Sequence, residues 1–161
     1  MPPVNSALPR REPLWWSDGL RFACIGCGRC CRGEPGAIFF TPGEEARVVE
    51  HLGIDLADFR RRFVTGRWGR PSFIERSNGD CVFYDALNAR CSIYAIRPAQ
   101  CRLFPFWPEV LKSSARWDAC AKNCPGMNDG RLYTPEDVAA LAAACASWMD
   151  GADAQDMRIR L

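Results

Sequence analysis

Four cysteines fall within eight residues of this chain, Cys24, Cys27, Cys30 and Cys31, in the stretch "FACIGCGRCCRG". Thiols packed this closely force the backbone to fold round them, and Gly26, Gly28 and Gly33 supply the permissive conformations such a loop needs. A disulfide, a single ion or a cluster could account for the density. The other cysteines are spread: Cys81-x9-Cys91-x9-Cys101, then Cys120, Cys124 and Cys145. Ten cysteines in 161 residues would read as a disulfide framework in a secreted chain. The opening "MPPVNSALPRREPLWWSDGLRF" has no apolar run followed by a cleavage-type site. A reducing, cytoplasmic setting is therefore the expectation, and there a dense cysteine set reads as metal-binding or catalytic rather than bridged.

Composition narrows the classes. Hydrophobic residues make up 48%, enough for a core, and the net charge is only +2. That balance argues against a protein that coats nucleic acid. No stretch approaches the roughly 20 apolar residues of a membrane span. One domain over 19–150 is expected, with tails at 1–18 and 151–161. Pro2, Pro3, Pro9 and Pro13 punctuate the first tail, and Trp15 and Trp16 are expected to dock its end on the domain.

The element pattern reads as α+β: a small, loop-rich domain with short hairpins and three to four helices around a cysteine-ligated metal centre. "AIFF" at 37–40 reads as a short strand. In "TPGEEARVVEHLG", Thr41 caps, Pro42 opens and Glu44 completes a capping box; Val48, Val49 and Leu52 form the apolar face and Gly53 ends the helix. A second helix starts at Asp55 and is expected to bury Leu56, Phe59 and Phe63. The run Arg60, Arg61, Arg62 reads as its solvated side, with an anionic partner as the alternative. "SFIER" and "CVFYD" read as strands joined by Asn78-Gly79, and "CSIY" follows through the turn "ALNA". Arg97-Pro98 leads into a helical turn carrying Cys101, stopped by Pro105 and Pro108. "ARWDACAKNCPGMNDG" reads as a loop or broken turn. The last helix has Thr134 as cap, Pro135 first, and Val138, Leu141, Cys145 and Trp148 on one face.

Spacing by two residues lets two sulfurs reach one centre while the intervening amides turn inward. Cys81, Cys91, Cys101 and Cys124 stand at turn-like element ends, where ligands commonly project. Cys145 lies on an apolar helix face and reads as a small buried hydrophobe. Cys120 is either a ligand or a spare. His51 is the single histidine and reads as a surface or helix-end residue, so the centre is essentially all sulfur. Thiolates select zinc, iron–sulfur or Cu(I) over calcium and magnesium.

"CIGCGRC" is similar to the loop of bacterial-type ferredoxins, which give three ligands to a [4Fe–4S] cluster, and Cys124-Pro125 suits their remote partner. The immediate Cys31 departs from that spacing, and the chain is not a ferredoxin. "CIGCG" also suits a zinc knuckle, although no second Cys-x2-Cys follows. In an extended backbone the neighbours Cys30 and Cys31 would diverge, so they are expected to serve different irons or two centres. Eight thiols would suit two four-sulfur sites.

"FACIGCGRCC", "GDCVFYDALNARCSIYAIRPAQCRLFPFWP" and "CPGMNDG" together resemble the YkgJ-type CxxCxxCC cysteine-cluster family over roughly residues 20 to 130. The resemblance implies a zinc- or iron-chelating domain with eight family cysteines: Cys24, Cys27, Cys30, Cys31, Cys81, Cys91, Cys101 and Cys124. It leaves the metal open. An iron–sulfur cluster, 4Fe–4S in type and redox or electron-transferring in role, is the favoured expectation. A zinc-stapled structural or interaction domain is the alternative. A similar cysteine-cluster domain occurs in flagellin lysine methylases, so an accessory or catalytic domain is a third, but no dinucleotide fingerprint or catalytic pair is recognisable. The expected partner is the metal ion or cluster, with a redox or protein partner unidentified and neither nucleic acid nor membrane involved.

Around these cysteines, Glu34, Asp80, Asp85 and Asp118 lie near in sequence, with Asp80 and Asp85 read as turn caps. Arg29, Arg32, Arg97 and Arg102 flank cysteines and could offset thiolate charge. Phe83, Tyr84, Tyr94, Phe104, Phe106 and Trp107 read as core that would also wall a metal centre.

Overall fold

The structure is a computed structural model describing residues 13–33 and 36–149, without the side chains of Trp148 and Met149. The two outer tails up to residue 12 and from 150, Glu34 and the Trp148 side chain therefore lie outside the described residues. The remaining chain is mixed α+β, with short antiparallel strand pairs and no closed barrel.

Helix α1, Pro42–Leu52, begins as its sequence dictates. The Thr41 hydroxyl accepts from the Glu44 N–H, the Glu44 carboxylate accepts from the Thr41 N–H, and Gly53 closes the helix in the left-handed region. In α2, Leu56–Phe63, Asp55 caps and Phe59 is fully buried. Leu56, expected inside, is 42% exposed as the first residue of α2. The arginine run is paired within the molecule: Arg60 grips Glu45 with two bonds of 2.8 Å, while Arg61 and Arg62 meet Asp58.

Strands β1, Leu20–Phe22, and β6, Arg131–Tyr133, pair across almost the whole domain. Strands β2, Val64–Arg67, and β3, Arg70–Phe73, form a hairpin whose turn residues Trp68 and Gly69 both have positive φ. Strands β4, Tyr84–Asp85, and β5, Arg90–Cys91, are the shortest pair. Helices α3, Ala99–Leu103, α4, Pro108–Leu111, α5, Ser114–Ala121, and α6, Pro135–Met149, fill the second half. Four of the six helices, α1, α2, α5 and α6, have eight residues or more.

Four local expectations change. "AIFF" makes one isolated bridge, Phe39 to Ser72, on the edge of β3 that β2 leaves open. "SFIER" and "CVFYD" do turn at Asn78-Gly79, with the Gly79 N–H donating to the Arg76 carbonyl, but only the Glu75–Cys81 bridge forms between them. The segment read as a loop before Cys124 is helix α5. Ser113 caps it by accepting from the Arg116 N–H, and Trp117 anchors its inner side. Pro108 opens α4 rather than merely ending α3.

Two apolar clusters organise these elements. The first gathers Leu20, Phe22, Leu103, Phe106, Trp117 and the inner face of α6 around Val138 and Leu141. Trp15 and Trp16 pack against it, and the Trp15 indole N–H donates to the Leu111 carbonyl at 2.7 Å. The second cluster gathers Phe40, Val48, Phe59, Phe73, Phe83 and Ile93. Phe40 and Phe73 stack at 4.6 Å, and Phe73 meets Phe83 edge-on at 4.8 Å.

Candidate metal centre

The cysteine loop leans on both clusters. At its start, the Ala23 N–H donates to the Gly126 carbonyl at 3.0 Å, and Phe22 bridges Met127. The approach is close: a Cβ at Gly126 would lie 2.1 Å from the Ala23 carbonyl oxygen. This contact brings Cys124 beside the loop. At its end, the Cys81 N–H donates to the Cys31 carbonyl. Between these anchors Gly28, at φ 69, passes so near the β4–β5 hairpin that a Cβ there would meet Tyr84 at 2.6 Å. The first cluster thus carries Cys120 and Cys124, and the second carries Cys31, Cys81 and Cys91.

Where the two meet is a cavity of about 770 Å³, and every cysteine except Cys145 lines it. The eight expected site cysteines therefore share one wall. Cys120 joins them as the ninth, which settles its place in the fold. Cys120 stands on the last turn of α5 and Cys124 just past the helix end, where the Cys124 N–H donates to the Ala121 carbonyl at 3.2 Å. Cys145 is buried away from the cavity in the first cluster, as its helix position implies.

Cys30 and Cys31 do not diverge. They lie in a tight 3-10 turn, Arg29–Cys31, rather than in extended backbone, and their side chains are hydrogen-bonded to each other. Cys31 also bonds Cys91. These bonds push the Cys31 pKa strongly upward and hold Cys30 and Cys91 down at about 7, where Cys31 is the first cause and the Arg97 charge assists. Burial pushes Cys81 up to about 11. Burial, then the fields of Cys81, Cys30 and Cys91, raises Cys101 well above the usual thiol range. Cys120 and Cys124 are raised by burial first and by neighbouring thiols. The Tyr94 hydroxyl bonds the Cys24 side chain, which raises the phenol pKa.

Arg29, Arg32 and Arg97 also line the cavity, and no Asp, Glu or His does among the described residues. Arg97 lies 3.8 Å above the Tyr94 ring and donates to the Tyr94 carbonyl at 2.8 Å. Arg32 reaches the Tyr84 hydroxyl at 3.3 Å and Asp80 at 3.9 Å. Asp80 and Asp85 act as turn residues: Asp80 bonds Asn78, and Asp85 accepts from the Leu87 and Asn88 N–H groups. Of the aromatic set, Phe83, Tyr84 and Phe106 are buried core, and Tyr94, Phe104 and Trp107 line the cavity.

Among the described residues no three His, Cys, Asp or Glu side chains converge on a single point as they would round one ion. The donor set nonetheless fits a soft metal: the wall offers nine sulfurs with positive charge beside them, and no carboxylate among the described residues. Fold and site thus define a cysteine-walled, zinc- or iron-type chelating domain. Residues 23–125 match the CxxCxxCC family model, described as a "putative zinc- or iron-chelating domain". The chain belongs to that family. No solved structure matches it.

Proposed function

We propose that this cysteine-cluster protein holds an iron–sulfur cluster, 4Fe–4S in type, through sulfurs drawn from Cys24, Cys27, Cys30, Cys31, Cys81, Cys91, Cys101 and Cys124. The observation that carries the reading is the single cavity of about 770 Å³ lined by nine thiols. That is more room and more sulfur than one tetrahedral zinc uses, whose four sulfurs stand roughly 3.8 Å apart. The Cys-x2-Cys-x2-Cys run and the remote Cys124-Pro125 add to it. Such a cluster supplies one-electron redox chemistry, so electron transfer or redox sensing in a reducing, cytoplasmic setting is the proposed role.

The chain's own groups prepare the site. Arg97 faces Cys30, Cys91 and Cys101 and offsets the charge their thiolates carry. Phe104 and Trp107 give part of the wall an apolar face, which limits water at the sulfurs. Binding must displace the thiol protons, including the one Cys31 shares with Cys30 and Cys91.

Zinc is the second reading: the all-thiol wall suits that ion as well, and the Cys24-x2-Cys27-Gly28 turn is of zinc-knuckle type. Anaerobic purification followed by metal and acid-labile sulfide analysis separates the two. Iron with equimolar sulfide and a brown, air-sensitive preparation is the expected result. Zinc without sulfide, in a colourless and air-stable protein, would replace the cluster by a structural ion.

A further inference from the structure

We propose that Glu44 is a positioning residue for the thiol site, holding helix α3 and through it the Cys101 sulfur. The inference rests on the reading that Cys101 is a metal ligand. Glu44 is only 2% exposed, yet it belongs to α1, which packs in the second apolar cluster through Val48. A buried carboxylate is costly unless its oxygens are satisfied. One oxygen, Oε2, accepts from the Thr41 N–H at 2.9 Å within its own capping box. The other, Oε1, leaves the helix altogether and accepts from the Ala99 N–H at 2.7 Å. The Arg102 guanidinium stands 3.7 Å from the same Oε1.

Ala99 is the first residue of α3, and α3 has no side-chain cap of its own. Pro98, in the capping position, has neither a side-chain acceptor nor an N–H. A helix of five residues is too short to persist by its own hydrogen bonds. Glu44 therefore supplies from α1 the acceptor that α3 lacks. A second tether lies one residue on. The Gln100 side chain accepts from the Phe39 N–H at 2.8 Å and donates to the Ala37 carbonyl at 2.7 Å. Cys101 follows directly, on a turn pinned from both sides and facing the cavity. Ala99 and Leu103 pack in the first cluster, so the Glu44–Ala99 bond also ties the two clusters together next to the sulfur wall.

The test is a double-mutant cycle on the metal-loaded full chain, read as the rate of metal release to a colorimetric chelator. Glu44→Ala and Cys101→Ser should each speed release about 10- to 100-fold, the usual effect of removing a group that orients a ligand. The double variant should release no faster than Cys101→Ser alone, because Glu44 acts through that sulfur. Glu44→Gln keeps one acceptor and should fall between wild type and Glu44→Ala; it also serves if the alanine variant does not fold. Additive effects, or Glu44→Gln and Glu44→Ala both behaving as wild type, would overturn the inference. So would Cys101→Ser releasing metal at the wild-type rate. A wild-type chain that takes up no metal overturns the metal-binding reading itself, which is a different and recognisable failure.

Discussion

The Cys81 N–H donates to the Cys31 carbonyl oxygen at 2.7 Å, so the end of the cysteine loop is bonded directly to the start of the next cysteine-bearing segment. The contact depends on Gly79 just before it. That residue has φ 84, and a Cβ there would lie 2.7 Å from the Gly33 carbonyl oxygen. Gly79→Ala is expected to cost about 1–3 kcal/mol in chemical denaturation, from a strained left-handed alanine and the clash with Gly33. Gly66→Ala is the control: nothing lies within 4 Å of its Cβ position and it has no positive φ, so it should be neutral or stabilising by about 0.5 kcal/mol.

Cys145 should be chemically silent. It is 2% exposed, and burial pushes its thiol up to about 11. At pH 8 roughly one molecule in a thousand carries the reactive thiolate there. Mass spectrometry after alkylation of the native protein should find Cys145 unlabelled. Cys145→Ala should leave metal content unchanged and cost about 1 kcal/mol from the small void it opens.

Trp117 anchors the helix that carries Cys120. Its indole N–H donates to Asn128 Oδ1 at 2.7 Å, and its ring meets Trp15 at 6.0 Å and Phe106 at 6.1 Å. Trp117→Phe removes the donor and leaves the Asn128 oxygen without this partner. It should cost about 1–3 kcal/mol by urea denaturation, and Cys120 should then alkylate faster in the metal-free protein.

The turn ahead of Cys91 carries a pH signature. Asp85 is held below the ordinary carboxylate value, first by the Asn88 side chain and then by the Asn88 and Leu87 N–H groups. A carboxylate lowered by folding stabilises the fold above its unfolded pKa and loses that contribution as pH falls through the folded value. The β4–β5 hairpin should therefore loosen only in acid. Asn88→Ala should move the Asp85 titration, followed by NMR, upward toward the unperturbed value.

The helices were legible where caps and apolar spacing agreed. Thr41 with Glu44 and Thr134 with Asp137 both form the reciprocal bonds their spacing suggests. Helix α5 was not legible, because Trp117 is its single large inward anchor and two cysteines distract from the Ser113 cap. The strands were the weakest reading, since competition decided them. "SFIER" had two possible partners, and the turn at Trp68-Gly69, with Trp68 at the unusual φ of 47, won the pairing. For the site, the loop spacing pointed to Cys24, Cys27, Cys30 and Cys31, the family resemblance implied Cys81, Cys91, Cys101 and Cys124, and all eight line one cavity. Spacing could not show that Cys30 and Cys31 share a turn, since that follows from Gly28 being pressed against Tyr84. Nor could it show Glu44 reaching α3, because capping arithmetic uses one carboxylate oxygen and says nothing of the other.

The cysteine loop touches one apolar cluster with its first residues and the other with its last. Each cluster contributes sulfurs to the same wall. A group bonded to sulfurs of both clusters would bridge the two halves of the molecule. Occupancy would then brace them against each other and register as a gain in global stability.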